Sequence, residues 1–461
     1  MNCVDCRDLE VTCGDSAAIE GLERAHECLL VYDGDPVGTI DQVLSAQPDF
    51  IMGHCFKAAV LTQTMETRIY DDMLGAVEAA ERLQDKASDR ERGHIAAVRA
   101  WVDGDFSGAQ ARWEEVLTYH PFDLLAMQLG HLTAVLLGDV AAQRDIVARV
   151  FPMWDESVPG YEFVLGFYAF GLEENRDFMH AEELARQSLA MRLDNPYAVH
   201  AVAHVMEMKG RQRGGISFMD HALKHWENTH FANHLWWHYT LFCLDLGRAD
   251  RVLEVYDHNL RSQDQSGDKY EELDAAAILW RLKLLDIDVG DRWPELADKW
   301  ERSAADTLYA FNDVHAMMAF VSDNRVEAAN NLLHANARYV KHASDANAAM
   351  SREIGLPFCL ALQDFAQGKY GSCVDRLLPI RYMTHRLGGS AAQRDIVGWT
   401  LLESAMRARR FELALALANE RCERKASSAQ NWKYVARALK GLGRHDRANW
   451  AESRCESLLA A

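Results

Sequence analysis

The sequence predicts an all-α protein built from repeated pairs of helices, and three observations lead to this fold class. The 461 residues include only nine prolines, and proline is the residue that most strongly disfavours the interior of a helix. Long stretches rich in Ala, Leu, Glu and Arg place apolar residues three and four positions apart, which is the spacing of one helix face. No segment shows the alternation of apolar and polar residues that is typical of a half-buried strand.

Composition and charge restrict the classes of partner. Hydrophobic residues make up 49% of the chain and charged residues 26%, as is usual for a folded globular protein. The 69 acidic and 49 basic residues give a formal net charge of -20, which repels phosphate backbones and anionic lipid surfaces. There is no secretory signal pattern and no uncharged apolar run of about 18 residues. We therefore expect a cytoplasmic protein with no nucleic-acid partner and no membrane partner, and homo-oligomers remain open.

The N-terminal region is expected to form irregular helices over residues 1–45. The ten cysteines are spread too sparsely along the chain for a disulfide scaffold, so we expect most of them to be reduced and buried. Cys3 and Cys6 form a single C-V-D-C motif, which could be redox-active or half of a zinc site. It lacks the second C-x-x-C that a complete zinc site would supply.

The clearest repeat unit runs from His94 to Pro121 and resembles a tetratricopeptide repeat. The matching positions are the small Ala97 and Ala109, the turn at Gly104, and the terminal Pro121. Small residues let two antiparallel helices pack closely, and glycine can adopt the left-handed conformation that ends the first helix.

Equivalent turns recur along the chain. They lie at residues 138–139, 175–178, 210–211, 247–248, 368–370 and 443–444. Intervals such as 34 residues from Gly104 to Gly138 suit one helical pair per repeat. Residues 261–310 and 380–400 fit this register poorly. The resemblance implies one continuous domain over residues 1–461, a right-handed superhelix (α-solenoid), with the main array at 46–375 around a central groove and C-terminal repeats at 376–461.

The chain as a whole resembles the tetratricopeptide repeat protein 38 family. The segments that carry this resemblance are P-D-F-I-M-G-H at 48–54, A-F-G-L-E-E at 169–174, H-A-V-A-H-V-M-E-M-K-G-R at 200–211, H-L-W-W-H at 234–238, W-R-L at 280–282, F-N-D-V-H at 311–315 and G-G-S-A-A-Q-R-D at 388–395. Generic tetratricopeptide repeats carry none of these polar signatures, so the resemblance is specific. It implies the fold more firmly than it implies an activity.

Histidines and acids concentrate in the central repeats. Asn195 and Pro196 are typical of a helix start and Gly210 of a helix end, so the sequence predicts a helix over 196–209. The resemblance implies that, in the first helix of a repeat, positions three, six, ten and thirteen residues before the turn face the concave groove. The residues concerned are Glu173, His200, His204, Glu207, His234 and Trp237, with His238 nearer the seam between helices.

Two kinds of chemistry suit these groups. His200, His204 and Glu207 could bind a divalent zinc or iron ion, since two imidazoles and one carboxylate leave positions open for water or substrate. Without a metal, His200, His204, Glu207 and His234 are candidate catalytic acids and bases. Glu173, Trp237 and His238 would then contact a small polar molecule in a pocket with partly apolar walls.

Two further interpretations remain open. The histidines could be structural, holding the repeats in register through hydrogen bonds to neighbouring acids. Alternatively, the groove could be a protein-interaction scaffold that binds a peptide, in which case the acids favour an amine-bearing group. Asp313, His315 and Arg394 are additional candidate ligand contacts. The sequence contains no G-x-S-x-G elbow and no dinucleotide fingerprint, so it does not support a serine hydrolase of that type or a NAD enzyme.

Overall fold

A computed structural model describes residues 2–261 and 269–460. These residues form two compact units. Unit 1 consists of residues 2–202 and Ala222–Ala232, and unit 2 consists of Ala203–His221 and the described residues from Asn233 onward. The prediction of an all-α protein made of tetratricopeptide-like helical hairpins is confirmed. The single continuous domain stays a prediction.

Unit 1 contains a short two-stranded sheet followed by helices. The elements are β1 Asn2–Val4, β2 Glu10–Thr12, α1 Ser16–Val31, α2 Pro36–Ala46, α3 Ile51–Thr62, α4 Tyr70–Arg82, α5 Asp89–Val102, α6 Phe106–Tyr119, α7 Leu124–Leu137, α8 Val140–Ala148, α9 Tyr161–Glu174, α10 Phe178–Met191 and the first half of α11, Pro196–Met208. Short 3-10 turns occupy Thr67–Ile69, Gln84–Lys86, Phe151–Met153 and Leu223–His225.

The antiparallel pairing of β1 and β2 was not expected from the sequence. The side chain of Asp5 accepts hydrogen bonds from the backbone N–H groups of Arg7 and Leu9, which closes the turn between the strands. The backbone N–H of Thr12 donates to Glu91 on α5 at 2.9 Å. Contacts of this kind, from 79 residues away, stabilise strands that are too short for a periodic signal.

Unit 2 contains the second half of α11 and the remaining helices. These are α12 Gln212–Ala222, α13 Ala232–Asp245, α14 Ala249–Val255, α15 Lys269–Leu284, α16 Arg292–Glu301, α17 Ala310–Ser322, α18 Val326–His342, α19 Ala346–Met350, α20 Leu356–Ala366, α21 Tyr370–Leu377, α22 Ala391–Arg407, α23 Phe411–Arg424, α24 Ala429–Gly441 and α25 His445–Ala460. Single π-turns occupy Tyr256–Leu260 and Ser351–Gly355, and a 3-10 turn occupies Thr384–Leu387.

The predicted turns between paired helices are present. Gly104, Gly138, Gly210, Gly247, Gly368 and Gly443 all have positive φ, and so does Arg176. An aspartate often follows such a turn: Asp105 and Asp139 accept a hydrogen bond from a backbone N–H in the first turn of the next helix. A left-handed residue followed by a helix cap therefore builds these hairpins.

Two regions predicted to depart from the repeat register contain long connections. Residues 285–291 join α15 to α16 and include the left-handed Asp286 and Gly290. Residues 378–390 join α21 to α22 and include Gly388 and Gly389, also at positive φ. Two further helical pairs turn at Asn324 and Arg409, where no glycine marks the turn.

The core of each unit is made by the small and large apolar faces of paired helices. Trp113 and Phe167 are fully buried in unit 1, and Trp237, Trp280 and Trp300 are fully buried in unit 2. All ten cysteines are free, and six of them are buried. No helix among the described residues is both long and apolar enough to cross a membrane.

Candidate functional site

The candidate site lies in unit 2, where polar side chains from five helices come together. We define the polar recess as His204 and Glu207 on α11, His234 and His238 on α13, Asp274 and Arg281 on α15, Asp395 on α22, and Arg421 with its neighbour Lys425 on α23. Four helices each contribute two of these groups, counting Lys425 just past the end of α23, at intervals of three, four or seven residues. Such intervals place side chains on one face of a helix.

The helices that carry the histidines are well defined. Asn195 starts α11 by accepting hydrogen bonds from the backbone N–H groups of Tyr197 and Ala198. Gly210, with φ +66, allows the turn after α11. On α13, Leu235 and Phe242 are fully buried, which fixes the rotation of this helix about its axis. His234 and His238 are therefore directed to the side occupied by α11 and α15.

Three imidazoles form the centre of the recess. The ring centroids of His204 and His238 are 4.4 Å apart, and those of His234 and His238 are 4.9 Å apart. One ring nitrogen from each of the three residues lies within 4.8 Å of the others. Nitrogens at this separation can bind a common ion or a common polar molecule.

Two carboxylates orient two of these imidazoles. Nδ1 of His234 lies 2.9 Å from Oδ2 of Asp274. Nδ1 of His238 lies 3.4 Å from Oε2 of Glu207. A carboxylate at Nδ1 favours a proton on that nitrogen and makes Nε2 the nitrogen that binds a metal or a ligand. Nε2 of His234 and His238 can therefore accept a proton or a cation.

Arg281 is a buried cation beside these acids. It is only 1% exposed, and its two terminal nitrogens donate to the backbone carbonyls of Ala277 and Ala392 at 3.0 and 2.9 Å. Its guanidinium carbon lies 5.2 Å from the centre of the Trp237 ring, within the range of a cation–π contact. Burial lowers the pKa of Arg281 to about 10, although Asp395 and Glu207 oppose this shift.

The remaining charges are paired. Asp395 forms a bidentate ion pair with Arg421, with both N···O distances at 2.7 Å. Burial raises the pKa of Asp395, but Arg421 outweighs it and holds the pKa at about 2. Lys425 lies 3.2 Å from Asp245 at the end of α13. Asp395 and Arg421 are thus fixed in position and fully charged at neutral pH.

The carboxyl of Glu207, which contacts His238, has a pKa shifted by its surroundings. Burial raises the pKa of its carboxyl, while the charges of Lys425, His204 and Arg281 lower it. The net shift is upward. A carboxylate that is costly to ionise is stabilised by any added positive charge nearby.

Three side chains of the recess are partly exposed to solvent. The side chains of Glu207, His234 and Asp395 are 13%, 15% and 38% exposed. They are nevertheless surrounded closely enough for burial to affect the pKa of both carboxyls. Partly exposed charges beside a buried cation are typical of the wall of a binding site.

Two residues that the sequence grouped with this site belong to unit 1. His200 lies in the first half of α11, with its ring centre 4.9 Å from that of Phe170 and 5.2 Å from that of Phe231. Glu173 is buried on α9. The proposed metal set of His200, His204 and Glu207, and the convergence of all five groups, stay predictions.

The other predicted contacts have separate surroundings. His315 is buried, and its Nδ1 lies 2.7 Å from the carbonyl oxygen of Phe311; burial lowers its pKa to about 4. Asp313 is buried and interacts with Asn336. Arg394 donates to the carbonyl of Gly389. The next residue along the chain, Asp395, pairs with Arg421.

Sequence reasoning missed Asp274, Arg421 and Lys425. Asp274 precedes Arg281 by seven residues, which is two helical turns, and Arg421 precedes Lys425 by four. These intervals were a usable signal that each pair shares a helix face. What was missing was the knowledge that α15 and α23 adjoin α11 and α13 in this unit.

Comparisons with known proteins give distant likenesses. No model of a known protein family matches the chain. The human IFIT1 dimer with m7Gppp-AAAA is 13% identical, with a TM-score of 0.37, over 98% of this chain and 96% of its own. Yeast Tom70 is 12% identical, with a TM-score of 0.35, over 96% of this chain and 92% of its own. The exclusion of nucleic-acid partners stays an expectation from the net charge of -20.

Proposed function

We propose that the polar recess of unit 2 binds a small polar molecule that carries an amine or another cationic group. The observation that carries this proposal is the meeting of three carboxylates, on Glu207, Asp274 and Asp395, in one recess. Asp395 is paired with the cation Arg421, whereas Glu207 contacts an imidazole, Nδ1 of His238, at 3.4 Å. A cationic group of a ligand would therefore give Glu207 a charged partner.

The recess offers both kinds of hydrogen-bonding group. Glu207 and Asp395 accept hydrogen bonds, and Arg421 and Lys425 donate them. His234 stacks against Trp237 with ring centres 5.3 Å apart, which adds a flat apolar surface. A ligand with a polar end and a small apolar body fits this combination better than a wholly apolar one.

The amine is expected to bind beside Glu207. A ligand cation would offset the desolvation that raises the pKa of this carboxyl. A charge-assisted hydrogen bond contributes about 1.5–3 kcal/mol, which corresponds to an affinity change of roughly tenfold to more than a hundredfold.

The experiment is a thermal-shift screen of the purified full chain with a panel of amines, diamines, amino acids and short amine-bearing peptides, followed by calorimetric titration of each hit. Glu207→Gln should weaken binding of a hit by about tenfold or more because it removes the charge and keeps the shape. Glu327→Gln is the matched control, since Glu327 is exposed on α18 of the same unit. The affinity of Glu327→Gln for the hit should equal that of the wild type.

Two outcomes of the screen would contradict the proposal. Absence of any shift, or a hit whose affinity is the same in Glu207→Gln, would show that the recess does not bind amines. Stabilisation by peptides alone would favour the peptide scaffold that the sequence left open.

We infer further that the chain is related to the tetratricopeptide repeat protein 38 family and acts in the cytoplasm. The supporting observations are the polar signatures at 200–211 and 234–238, both of which contribute residues to the recess. An alignment of family members in which positions 204, 234 and 238 vary freely would count against this relationship.

A further inference from the structure

A second property of unit 2 concerns the three imidazoles at the centre of the polar recess. We propose that His204, His234 and His238 bind one divalent transition-metal ion, with zinc as the best match, and that Asp274 and Glu207 position the ligands. This inference rests on the same recess as the proposed function, but it does not require the amine ligand.

The geometry of the imidazoles supports the ion. His234 and His238 are four residues apart on α13, an interval that lets two imidazoles on one helix reach one ion. His204 adds a third ligand from α11. One nitrogen from each residue lies within 4.8 Å of the others. Metal–nitrogen bonds of about 2.0–2.1 Å place tetrahedral ligands about 3.3 Å apart, so closure needs side-chain movements of about 1.5 Å at most.

The carboxylates match what surrounds histidine ligands in metal sites. A ligating imidazole usually donates its second ring N–H to a carboxylate, which fixes the ring and raises its basicity. Asp274 lies 2.9 Å from Nδ1 of His234, and Glu207 lies 3.4 Å from Nδ1 of His238. Asp274 is itself only 4% exposed. Two independent pairs of this kind at one cluster favour metal binding through Nε2.

The ligand set determines the class of ion. Three neutral imidazoles favour zinc, copper, iron or nickel over calcium or magnesium, which prefer oxygen ligands. The carboxylates of Asp274 and Glu207, which contact two of the imidazoles, compensate part of the charge of the ion. Three protein ligands leave the fourth position of a tetrahedral ion open, as in catalytic zinc sites.

The test measures the ion directly. Untagged full-length protein purified without chelators is analysed by inductively coupled plasma mass spectrometry, then stripped and titrated with Zn²⁺ and with Co²⁺, whose tetrahedral complexes absorb visible light. We expect close to one ion per chain and a visible Co²⁺ spectrum that added Zn²⁺ abolishes. His204→Ala and His238→Ala should lose the ion.

Two further variants make the result specific. Asp274→Asn keeps all three imidazoles, and it should weaken Zn²⁺ binding by about 10- to 100-fold because His234 loses its carboxylate. His334→Ala is the control, since His334 is an exposed histidine on α18 of the same unit; it should bind the ion like the wild type. If the His→Ala variants do not fold, the wild-type Co²⁺ spectrum and the Asp274→Asn affinity decide.

Three outcomes would overturn the metal site: no binding of Zn²⁺ or Co²⁺ by the stripped wild type, an unchanged affinity in Asp274→Asn, or full retention of the ion when all three imidazoles are replaced. Repeating the amine titration on stripped and on reloaded protein separates the two proposals. Failure of Zn²⁺ and Co²⁺ to bind the stripped protein contradicts only the metal site, and failure of the amine to bind the stripped protein contradicts only the proposed function.

Discussion

Replacing the buried Asp313 by asparagine should make the protein more stable at alkaline pH. Asp313 lies on α17, is 6% exposed, and its Oδ2 has no hydrogen-bond partner among the described residues. Burial raises the pKa of Asp313 to about 7, Asn336 opposes the shift, and Asp306 adds to it. The folded protein therefore holds this carboxyl in its neutral form up to about neutral pH.

The magnitude follows from the two protonation equilibria. The ordinary pKa of the carboxyl is 3.8, and its folded value is about 7. Each unit of difference corresponds to about 1.4 kcal/mol, so the full effect is about 4 kcal/mol. Because the folded pKa is the higher one, this contribution to stability is fully present below about pH 4. It decreases as the pH rises and is lost once the pH has passed through about 7.

The assay is urea denaturation of the wild type and Asp313→Asn at about pH 5 and about pH 8. Asparagine does not ionise, so the difference in free energy of unfolding, variant minus wild type, should rise by about 3 kcal/mol from about pH 5 to about pH 8. Asp291→Asn, at the exposed N-cap of α16, should show no such gain. An equal effect of Asp313→Asn at both pH values would refute the reasoning, because it would mean that Asp313 is ionised and partnered in the folded state.

Two further predictions concern a helical turn and a buried histidine. Both Gly210 and Gly443 have φ near +70, so replacing Gly443 by alanine should cost about 1–2 kcal/mol for the left-handed conformation alone. Gly210→Ala should cost more, because a Cβ at Gly210 would lie 1.5 Å from Oγ of Ser427, whereas a Cβ at Gly443 would meet open space. Equal denaturation midpoints would contradict this. Burial lowers the pKa of His131 from 6.5 to about 4. Because the folded protein disfavours protonation of this ring, its free energy of unfolding should fall by about 3 kcal/mol as the pH falls from about 6.5 to about 4. His131→Gln should therefore be less sensitive to acid than the wild type in urea denaturation, and identical pH profiles would count against it.

The helical architecture could be predicted because its signals are local. A glycine followed by a helix marks the end of the first helix of a pair, and six of these glycines have the expected positive φ. The turns at Asn324 and Arg409 were missed because non-glycine residues enter the left-handed region without a compositional signal. The β1–β2 pair was missed because its strands have three residues each and depend on contacts with α5.

The candidate site was partly predictable for the same reason. Spacing along α11 placed His204 and Glu207 on one helix face, whereas the resemblance placed His234 towards the groove and His238 nearer the seam between helices. Spacing could not tell which carboxylate faces which imidazole, since that depends on how neighbouring helices are rotated about their own axes. The structure pairs Glu207 with His238, which lies 31 residues further along the chain on a second helix.

The sequence by itself determined the all-α class, the hairpin turns and the polar face of each central helix, because backbone conformation and helical periodicity are set by residues close together in the chain. Only the tertiary structure brought Asp274 to His234 across 40 residues, and Arg421 to Asp395 across 26. It also buried Arg281 among acids. These pairings are decided by how whole helices pack, and packing is a collective property of many apolar contacts that no short stretch of sequence contains.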